Sequence, residues 1–227
     1  MTNFFKTNFY SWNGLNHKLS QKLHLMIEND NVLAISRFFT EYIGYYKMFP
    51  IHLIVIILIM TINLFIQKDI ISKKQLRIKA TQNFQLISTL VVTILCMAAT
   101  VGAAKEIFAL TRPLCMTEFT LSEYALQYKH LLTKIENMKR ECNLSFPSGH
   151  SSYSSAMLVA LWSWLTKPFK IIGVASVSFV VISRVALGMH FLADIFFAIL
   201  LSAFIAIAVK HIMQIFFINR HKNQTKN

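Results

Sequence analysis

Long apolar runs constrain this chain more than any other feature of its sequence. Residues 84–104 are 21 consecutive positions without a charged side chain, enough for a helix to cross a hydrocarbon core of about 30 Å. The runs are continuous rather than alternating, so they predict helices and not the strands of a membrane barrel. Only 15% of the residues are charged, against about 25% in soluble domains. We therefore expect an all-α, polytopic membrane protein.

The apolar runs predict six transmembrane helices. Four are clear: 49–66, 84–104, 171–182 and 195–209. Segment 151–166 is richer in serine, and segment 32–48 is the weakest because it contains Arg37, Glu41 and Lys47. Arg37 and Glu41 are four residues apart and could pair on one helix face, which reduces the cost of charges near lipid. Without segment 32–48 the count falls to five.

The basic residues are concentrated in a few connections. The net charge is +13; segment 67–83 has five basic residues and one acid, and the tail from Lys210 has four and none. Loop 114–146 is balanced at four each. The positive-inside rule places the basic connections in the cytoplasm and the balanced loop outside. Six spans then put both termini in the cytoplasm, whereas five leave the amino terminus outside. No zinc finger or RNA-binding motif suggests a nucleic-acid partner.

This organisation predicts a single membrane domain. We expect a cytoplasmic amino-terminal segment at 1–31, six spans over 32–218 with an external loop at 114–146, and a cytoplasmic tail at 219–227. The amino terminus lacks the apolar core and small-residue site of a cleaved signal peptide. Cys115 and Cys142 bracket the external loop, where an oxidising compartment allows a disulfide; two free thiols are the alternative.

The first polar cluster at a span end contains Lys105 and Arg112, with Pro113 directly after. If the helix continues as far as Pro113, the two cations lie two turns apart on one face. Alone, this spacing is a weak signal.

The second cluster is Pro147-Ser148-Gly149-His150, directly before segment 151–166. Glycine lets a ligand approach the backbone, and the free N–H groups of a helix start favour an anion. Ser148 is equally suited to cap the helix, and His150 could be an interfacial histidine.

The third cluster is Ser183-Arg184 followed by His190 and Asp194. On a helix, a carboxylate four residues after a histidine faces the imidazole. It would fix the tautomer and leave the other ring nitrogen free to attack.

The predicted topology brings the three clusters to the same outer face. The ionisable members are Lys105, Arg112, His150, Arg184, His190 and Asp194. The sequence has no zinc-ligand pattern and no Walker phosphate loop. Three cations beside two histidines suit a phosphate, whose oxygens they could hold in the transition state.

The three motifs resemble the signature of the type 2 phosphatidic acid phosphatase superfamily. All 11 fixed positions of Lys105-x6-Arg112-Pro113, Pro147-Ser148-Gly149-His150 and Ser183-Arg184-x5-His190-x3-Asp194 agree, in order. The first 30 residues lie outside the resemblance.

The resemblance implies a role for each matching residue. His190 would be the nucleophile and form a phosphohistidine, Asp194 would orient it, and His150 would protonate the leaving oxygen and then activate water. The remaining motif residues would bind the phosphate: Lys105, Arg112, Ser148, Gly149 and Arg184. The resemblance implies no metal and no cofactor.

The resemblance and the apolar spans together suggest a lipid phosphate as substrate. Relatives in bacterial inner membranes act on undecaprenyl diphosphate, phosphatidylglycerophosphate, phosphatidic acid or, as an alternative, the 1-phosphate of lipid A. The expected partners are this lipid and water, with no obligate protein partner and an active site facing the periplasm. A non-enzymatic protein that binds or transports a phosphate lipid is the alternative from another class.

Overall fold

The computed structural model describes residues 10–26, 34–35, 38–121 and 142–224, apart from the side chains of Tyr46 and residues 220–224. The helices are α1 (Leu15–Met26), α2 (Phe49–Gln67), α3 (Lys73–Phe108), α4 (Gly149–Leu161), α5 (Lys167–Ala186) and α6 (Leu192–Gln224). A π-helical turn at Phe39–Gly44 and 3-10 turns at Tyr46–Met48 and Pro113–Cys115 lie between them. No strand occurs within these described ranges, so the all-α prediction is confirmed.

Four of the helices are long and apolar enough to cross a membrane: α2, α3, α5 and α6. They contain the four clear spans that the sequence predicts. Helix α2 buries none of its residues against the rest of the chain, and large apolar side chains such as Ile59 and Phe65 point outward. Such a surface requires lipid around it, so this is a membrane protein.

Helix α4 is short, and small side chains pack it into the bundle. Its 13 residues rise about 20 Å, less than a hydrocarbon core of about 30 Å. Ser151, Ser152, Ser155 and Ala156 are buried, and small residues allow helix backbones to approach closely in membranes. Tyr153 packs in the core between α4 and α3. The predicted fifth segment is thus a helix, although a shorter one than the other four.

Contacts between the helix ends show that α2 to α6 run back and forth between two ends of the bundle. Three side-chain contacts join one end: Lys79 with Gln67, Lys210 with Ser163, and Phe84 with Phe217. The opposite end contains the last turn of α3, the first turns of α4 and α6, and the end of α5. All the motif residues lie at this opposite end, which we call the site end.

The described residues 38–48 of the predicted first span, 32–48, do not cross the bundle. Within them, Thr40 Oγ1 contacts Ser183 Oγ and the Tyr45 ring stacks on His150 at 5.6 Å; before the segment, His24 Nδ1 lies 3.0 Å from the carbonyl oxygen of Val185. All three partners belong to the site end. The six-span prediction is therefore not confirmed, and in the described part of the chain the helices α2 to α6 connect the two ends. Charged side chains in segment 32–48 favour an interfacial position over lipid.

The described part of the amino-terminal segment also lies at the site end, whereas α6 carries the chain to the other end. The prediction that both termini share the face opposite the site is therefore not confirmed. In α1, Asn16, Ser20 and His24 form a polar stripe that is buried against the ends of α5 and α6. From sequence, a polar stripe reads as a solvent-exposed face.

Other predictions fall partly on residues outside the described ranges. Arg37 is one of them, so its pairing with Glu41 stays a prediction. Residues 122–141 of the external loop are also outside. Helix α6 runs to Gln224, so helix continues into the predicted tail at 219–227.

Candidate active site

Helix α3 ends before it reaches the first arginine of the site. A helix that continued to Pro113 would place Lys105 and Arg112 on one face, but α3 stops at Phe108 and Ala109 adopts a left-handed conformation with φ of 43°. Arg112 is therefore extended, and its backbone N–H donates to the Cys142 carbonyl at 2.8 Å. Lys105 remains in the last helical turn, where its ammonium donates to the Leu144 carbonyl.

A disulfide holds the segment that carries Arg112. Cys115 and Cys142 are bonded, with their Cα atoms 5.7 Å apart, so the disulfide alternative is confirmed. Because Cys142 also accepts the Arg112 N–H, the bond ties both ends of the external loop to this arginine.

Ser148 starts helix α4, as its sequence predicts. Its Oγ accepts from the Ser151 N–H at 3.4 Å, and its own N–H donates to the Asp194 carbonyl at 3.1 Å. A Cβ at Gly149 would lie 3.9 Å from Lys105 Cε, so this glycine backbone lies next to the lysine.

His150, in the first turn of α4, is stacked rather than freely interfacial. The ring of Tyr45 lies 5.6 Å from it, centroid to centroid, at an interplanar angle of 17°. Gly44 lies against the same histidine, because a Cβ there would be 3.6 Å from His150 Cβ.

A tight turn between α5 and α6 folds His190 back onto Arg184. The Arg184 carbonyl accepts the N–H groups of Met189 and His190 at 3.0 and 3.2 Å. Gly188 has φ of 62°, a left-handed conformation that favours glycine. The Arg184 side chain, 2% exposed, points into the site end.

Asp194 lies in the first turn of α6 and accepts three hydrogen bonds. Oδ2 accepts from Ser145 Oγ at 2.5 Å and from the Phe191 N–H at 2.8 Å, and Oδ1 accepts from Tyr10 Oη at 2.8 Å. His190 Nδ1 is 3.4 Å from Oδ2 but is not hydrogen-bonded to it.

The other ring nitrogen of His190, Nε2, points at the cations. Nε2 lies 3.5 Å from Arg112 Nη1. Burial, followed by the charges of Arg112, Arg184 and Lys105, holds the pKa of His190 well below its ordinary value of 6.5. The imidazole is therefore neutral near pH 7, with a lone pair available on an unprotonated nitrogen.

The site is closed on one side and open on the other. His190 is 2% exposed and Asp194 is fully buried, whereas Lys105, Gly149 and His150 are only partly buried. The side of the site that carries His150 is therefore its more exposed side.

All eight predicted site residues lie at the site end, and three neighbours were missed from sequence: Tyr10, Tyr45 and Ser145. Tyr10 precedes the turn-forming Asn13-Gly14 dipeptide, a signal for a structured loop. The partners of all three residues are distant in sequence or lie at a turn. The hydrophobic periodicity of the sequence does not predict contacts of this kind.

The site therefore consists of cations and imidazoles around a buried carboxylate. Within the described ranges, no group of three or more His, Cys, Asp or Glu side chains could hold a metal ion. Guanidinium and ammonium groups bind phosphate oxygens through charge-assisted hydrogen bonds. A neutral imidazole among them can attack phosphorus.

Apolar helices and this group of side chains define a membrane protein with a cationic site that contains two histidines. The family model described as the PAP2 superfamily matches residues 85–218, more than half of the chain. The chain therefore belongs to the PAP2 superfamily, whose members are phosphatases that act on phosphate esters. Among curated proteins no match is found.

Proposed function

We propose that the protein is an integral-membrane lipid phosphatase that cleaves a phosphate monoester or diphosphate headgroup through a phosphohistidine, without a metal. One observation carries the proposal. The His190 ring lies between Asp194, 3.4 Å from Nδ1, and Arg112, 3.5 Å from Nε2. A carboxylate behind one nitrogen and a cation in front of the other suit a nucleophile for a phosphate.

In the first step, His190 Nε2 attacks phosphorus. The N–P bond forms while the bond to the lipid oxygen breaks, and His150 donates a proton to that oxygen. Asp194 stabilises the positive charge that develops on the His190 ring. His150 is suited to this role because it lies on the partly exposed side, from which the ligand arrives.

In the second step, His150 takes a proton from water. The water oxygen attacks phosphorus, the N–P bond breaks, and phosphate leaves with His190 again neutral.

Lys105, Arg112 and Arg184 would hold the phosphate oxygens through both steps. Each of their charges contributes to the lowered pKa of His190, and Arg112 Nη1 lies 3.5 Å from its Nε2. Ser148 and the backbone of Gly149 would complete the phosphate site at the start of α4. Preorganised donors of this kind stabilise charge in the transition state.

The position of the site favours a lipid substrate. It lies at one end of a bundle whose outer surface is apolar, so a headgroup at the membrane surface would enter beside His150. Undecaprenyl diphosphate and the glycerophospholipids phosphatidylglycerophosphate and phosphatidic acid are the first candidates. The 1-phosphate of lipid A is the alternative.

Charge supports an orientation with the site in the periplasm of a bacterial inner membrane. The end remote from the site contains the basic start of α3, with Lys73, Lys74 and Arg77, and the start of α5, with Lys167 and Lys170. Such connections face the cytoplasm under the positive-inside rule.

The test is phosphate release from a panel of these four lipids by purified protein in detergent with a chelator. We expect release from one lipid class and none from His190→Ala, which lacks the nucleophile. His211→Ala is the matched control, because His211 is exposed and lies in the second half of α6; it should retain wild-type rates.

Release that requires added metal would contradict the metal-independent mechanism. Binding of a panel lipid without any release would instead support a phosphate-lipid binding or transport protein.

A further inference from the structure

The amino-terminal segment contacts the site although it lies outside the family match at residues 85–218. Its helix α1 turns a polar stripe inward, and Asn16 and Ser20 are at most 2% exposed. Burial of polar side chains costs free energy unless they are hydrogen-bonded. Their partners therefore indicate what the segment does.

Asn16 and Ser20 cap helix α6 from a separate part of the chain. The first N–H groups of a helix have no partner within it, and Phe191, directly before α6, has no side-chain acceptor. The Leu192 N–H donates to Ser20 Oγ at 2.9 Å, and the Ala193 N–H donates to Asn16 Oδ1 at 3.0 Å. The next residue of α6 is Asp194.

Tyr10 contacts Asp194 itself. Its hydroxyl donates to Oδ1 at 2.8 Å, whereas Oδ2 faces Ser145, Phe191 and the His190 ring. Burial and the Asp194 charge raise the pKa of Tyr10 well above 10, so its phenol keeps the proton that it donates.

A constrained turn connects Tyr10 to α1. Trp12 and Asn13 both have positive φ, 49° and 54°, which is unfavourable for residues with a Cβ. Such conformations persist where the surroundings hold them: Trp12 packs edge-on against Phe196 at 6.4 Å, and the Tyr10 ring packs edge-on against Phe191 at 6.1 Å.

We propose that Tyr10 is a positioning residue for Asp194. Asn16 and Ser20 fix the position of the first turn of α6, which carries Asp194. The inference rests on the proposed function, in which Asp194 orients His190. Tyr10 holds Oδ1 and thereby sets the carboxylate plane that presents Oδ2 to Nδ1. The amino-terminal segment thus contributes to the active site by positioning Asp194.

The direct test is Tyr10→Phe, which removes the hydroxyl and keeps the ring that packs against Phe191. We expect kcat to fall about tenfold or more, because small misplacements of reacting groups are costly, with KM within about twofold of wild type. The melting temperature should stay near that of wild type. Tyr42→Phe is the matched control, since Tyr42 is exposed and its loss of a hydroxyl should leave kcat unchanged.

A double substitution tests whether Tyr10 acts through Asp194. In an Asp194→Asn background, Tyr10→Phe should cause little further loss of kcat, because effects of residues that act as a unit are not additive. Multiplicative losses in the double variant would overturn the proposal.

The caps are tested by Asn16→Ala and Ser20→Ala. Each should lower the melting temperature by a few degrees, about the effect of losing a helix cap, and should also lower kcat. Lys18→Ala, at an exposed position of the same helix, should change neither.

The outcomes separate the two claims. An active wild type, an inert His190→Ala and a Tyr10→Phe variant with wild-type kcat would overturn this inference and leave the phosphatase intact. A raised KM with unchanged kcat would also overturn it, since Tyr10 would then contribute to substrate binding. A wild type that releases no phosphate would remove the proposed function and the inference with it.

Discussion

At the scale of single residues, the protonation state of His190 controls the proposed reaction most directly, because only a neutral imidazole can attack phosphorus. A lowered pKa means that the attacking imidazole stays neutral as pH falls through 6.5. In a plot of kcat/KM against pH, the acidic limb that arises from protonation of His190 should therefore lie below pH 6.5.

Removing a nearby positive charge should reverse part of this shift. Because Arg112 helps to lower the pKa of His190, Arg112→Gln should move that limb to higher pH as well as reduce the rate. A wild-type limb above pH 6.5, or a limb that does not move in Arg112→Gln, would contradict this electrostatic account.

The role of His150 is tested by varying the leaving group. His150→Ala should lose at least about 100-fold in kcat/KM on the ester of a lipid alcohol, the usual scale for general acid catalysis; kcat/KM reports the first step and not the later hydrolysis, in which His150 acts as a base. On a phosphate ester of a weakly basic phenol the loss should be much smaller, because that oxygen leaves without a proton. Equal losses on both substrates would exclude the general-acid role.

At this scale the sequence predicted residue types well and their partners poorly. The motif spacing identified His190 and Asp194, which the structure brings within 3.4 Å. Tyr10 was not predicted, because a hydrogen bond across 184 residues leaves no periodic trace in either segment. The contact of Tyr10 with Asp194 and the positive φ angles of Trp12 and Asn13 are visible only in three dimensions.

At the scale of elements, close packing of the Phe39–Gly44 turn on α5 places Tyr45 over His150. A Cβ at Gly44 would lie 2.7 Å from Val180 Cγ1, too close for the branched side chain to accommodate. Gly44→Ala should therefore lower the free energy of unfolding by about 1–3 kcal/mol, the scale of overpacking, and reduce activity by displacing Tyr45.

The double variant Gly44→Ala/Val180→Ala should recover activity relative to Gly44→Ala, because it removes the clashing Cγ atoms. The matched control is Gly102→Ala, where no atom lies within 4 Å of the new Cβ. Thermal unfolding and turnover of the variants measure both effects. A Gly44→Ala protein as stable and active as wild type would refute this packing.

Helix existence was more predictable than helix ends. Segment 84–104 was recognised by its apolarity, but α3 begins at Lys73, where Ser72 and Gln75 form a capping box. It ends at Phe108 because Ala109 turns left-handed and directs Arg112 to Cys142. Both boundaries depend on local hydrogen bonds that hydropathy does not report.

At the scale of the whole molecule, whether the chain crosses the membrane an even or an odd number of times depends on one weakly apolar segment. Segment 32–48 contains enough apolar residues to suggest a span, and its charges left the choice between six and five open. Contacts of His24 and Tyr45 with the site end support five crossings. Residue 10 and residue 224 therefore lie at opposite ends of the bundle.

This topology predicts opposite labelling of two introduced cysteines. Lys18→Cys in α1 and Asp69→Cys in the turn after α2 are both at exposed positions. In intact cells, a membrane-impermeant maleimide should label Lys18→Cys and not Asp69→Cys, and after permeabilisation it should label both. The wild-type chain supplies the background from its own cysteines. Labelling of both, or of neither, in intact cells would contradict five crossings.

The most direct test of the central claim is to trap the covalent intermediate. Wild-type protein is mixed with lipid labelled at the reacting phosphate, quenched under conditions that preserve phosphohistidine, and mapped by mass spectrometry. The account predicts label on His190, its persistence in His150→Ala where the second step is slowed, and none in His190→Ala. Turnover by His190→Ala, or label on a different residue, would contradict it.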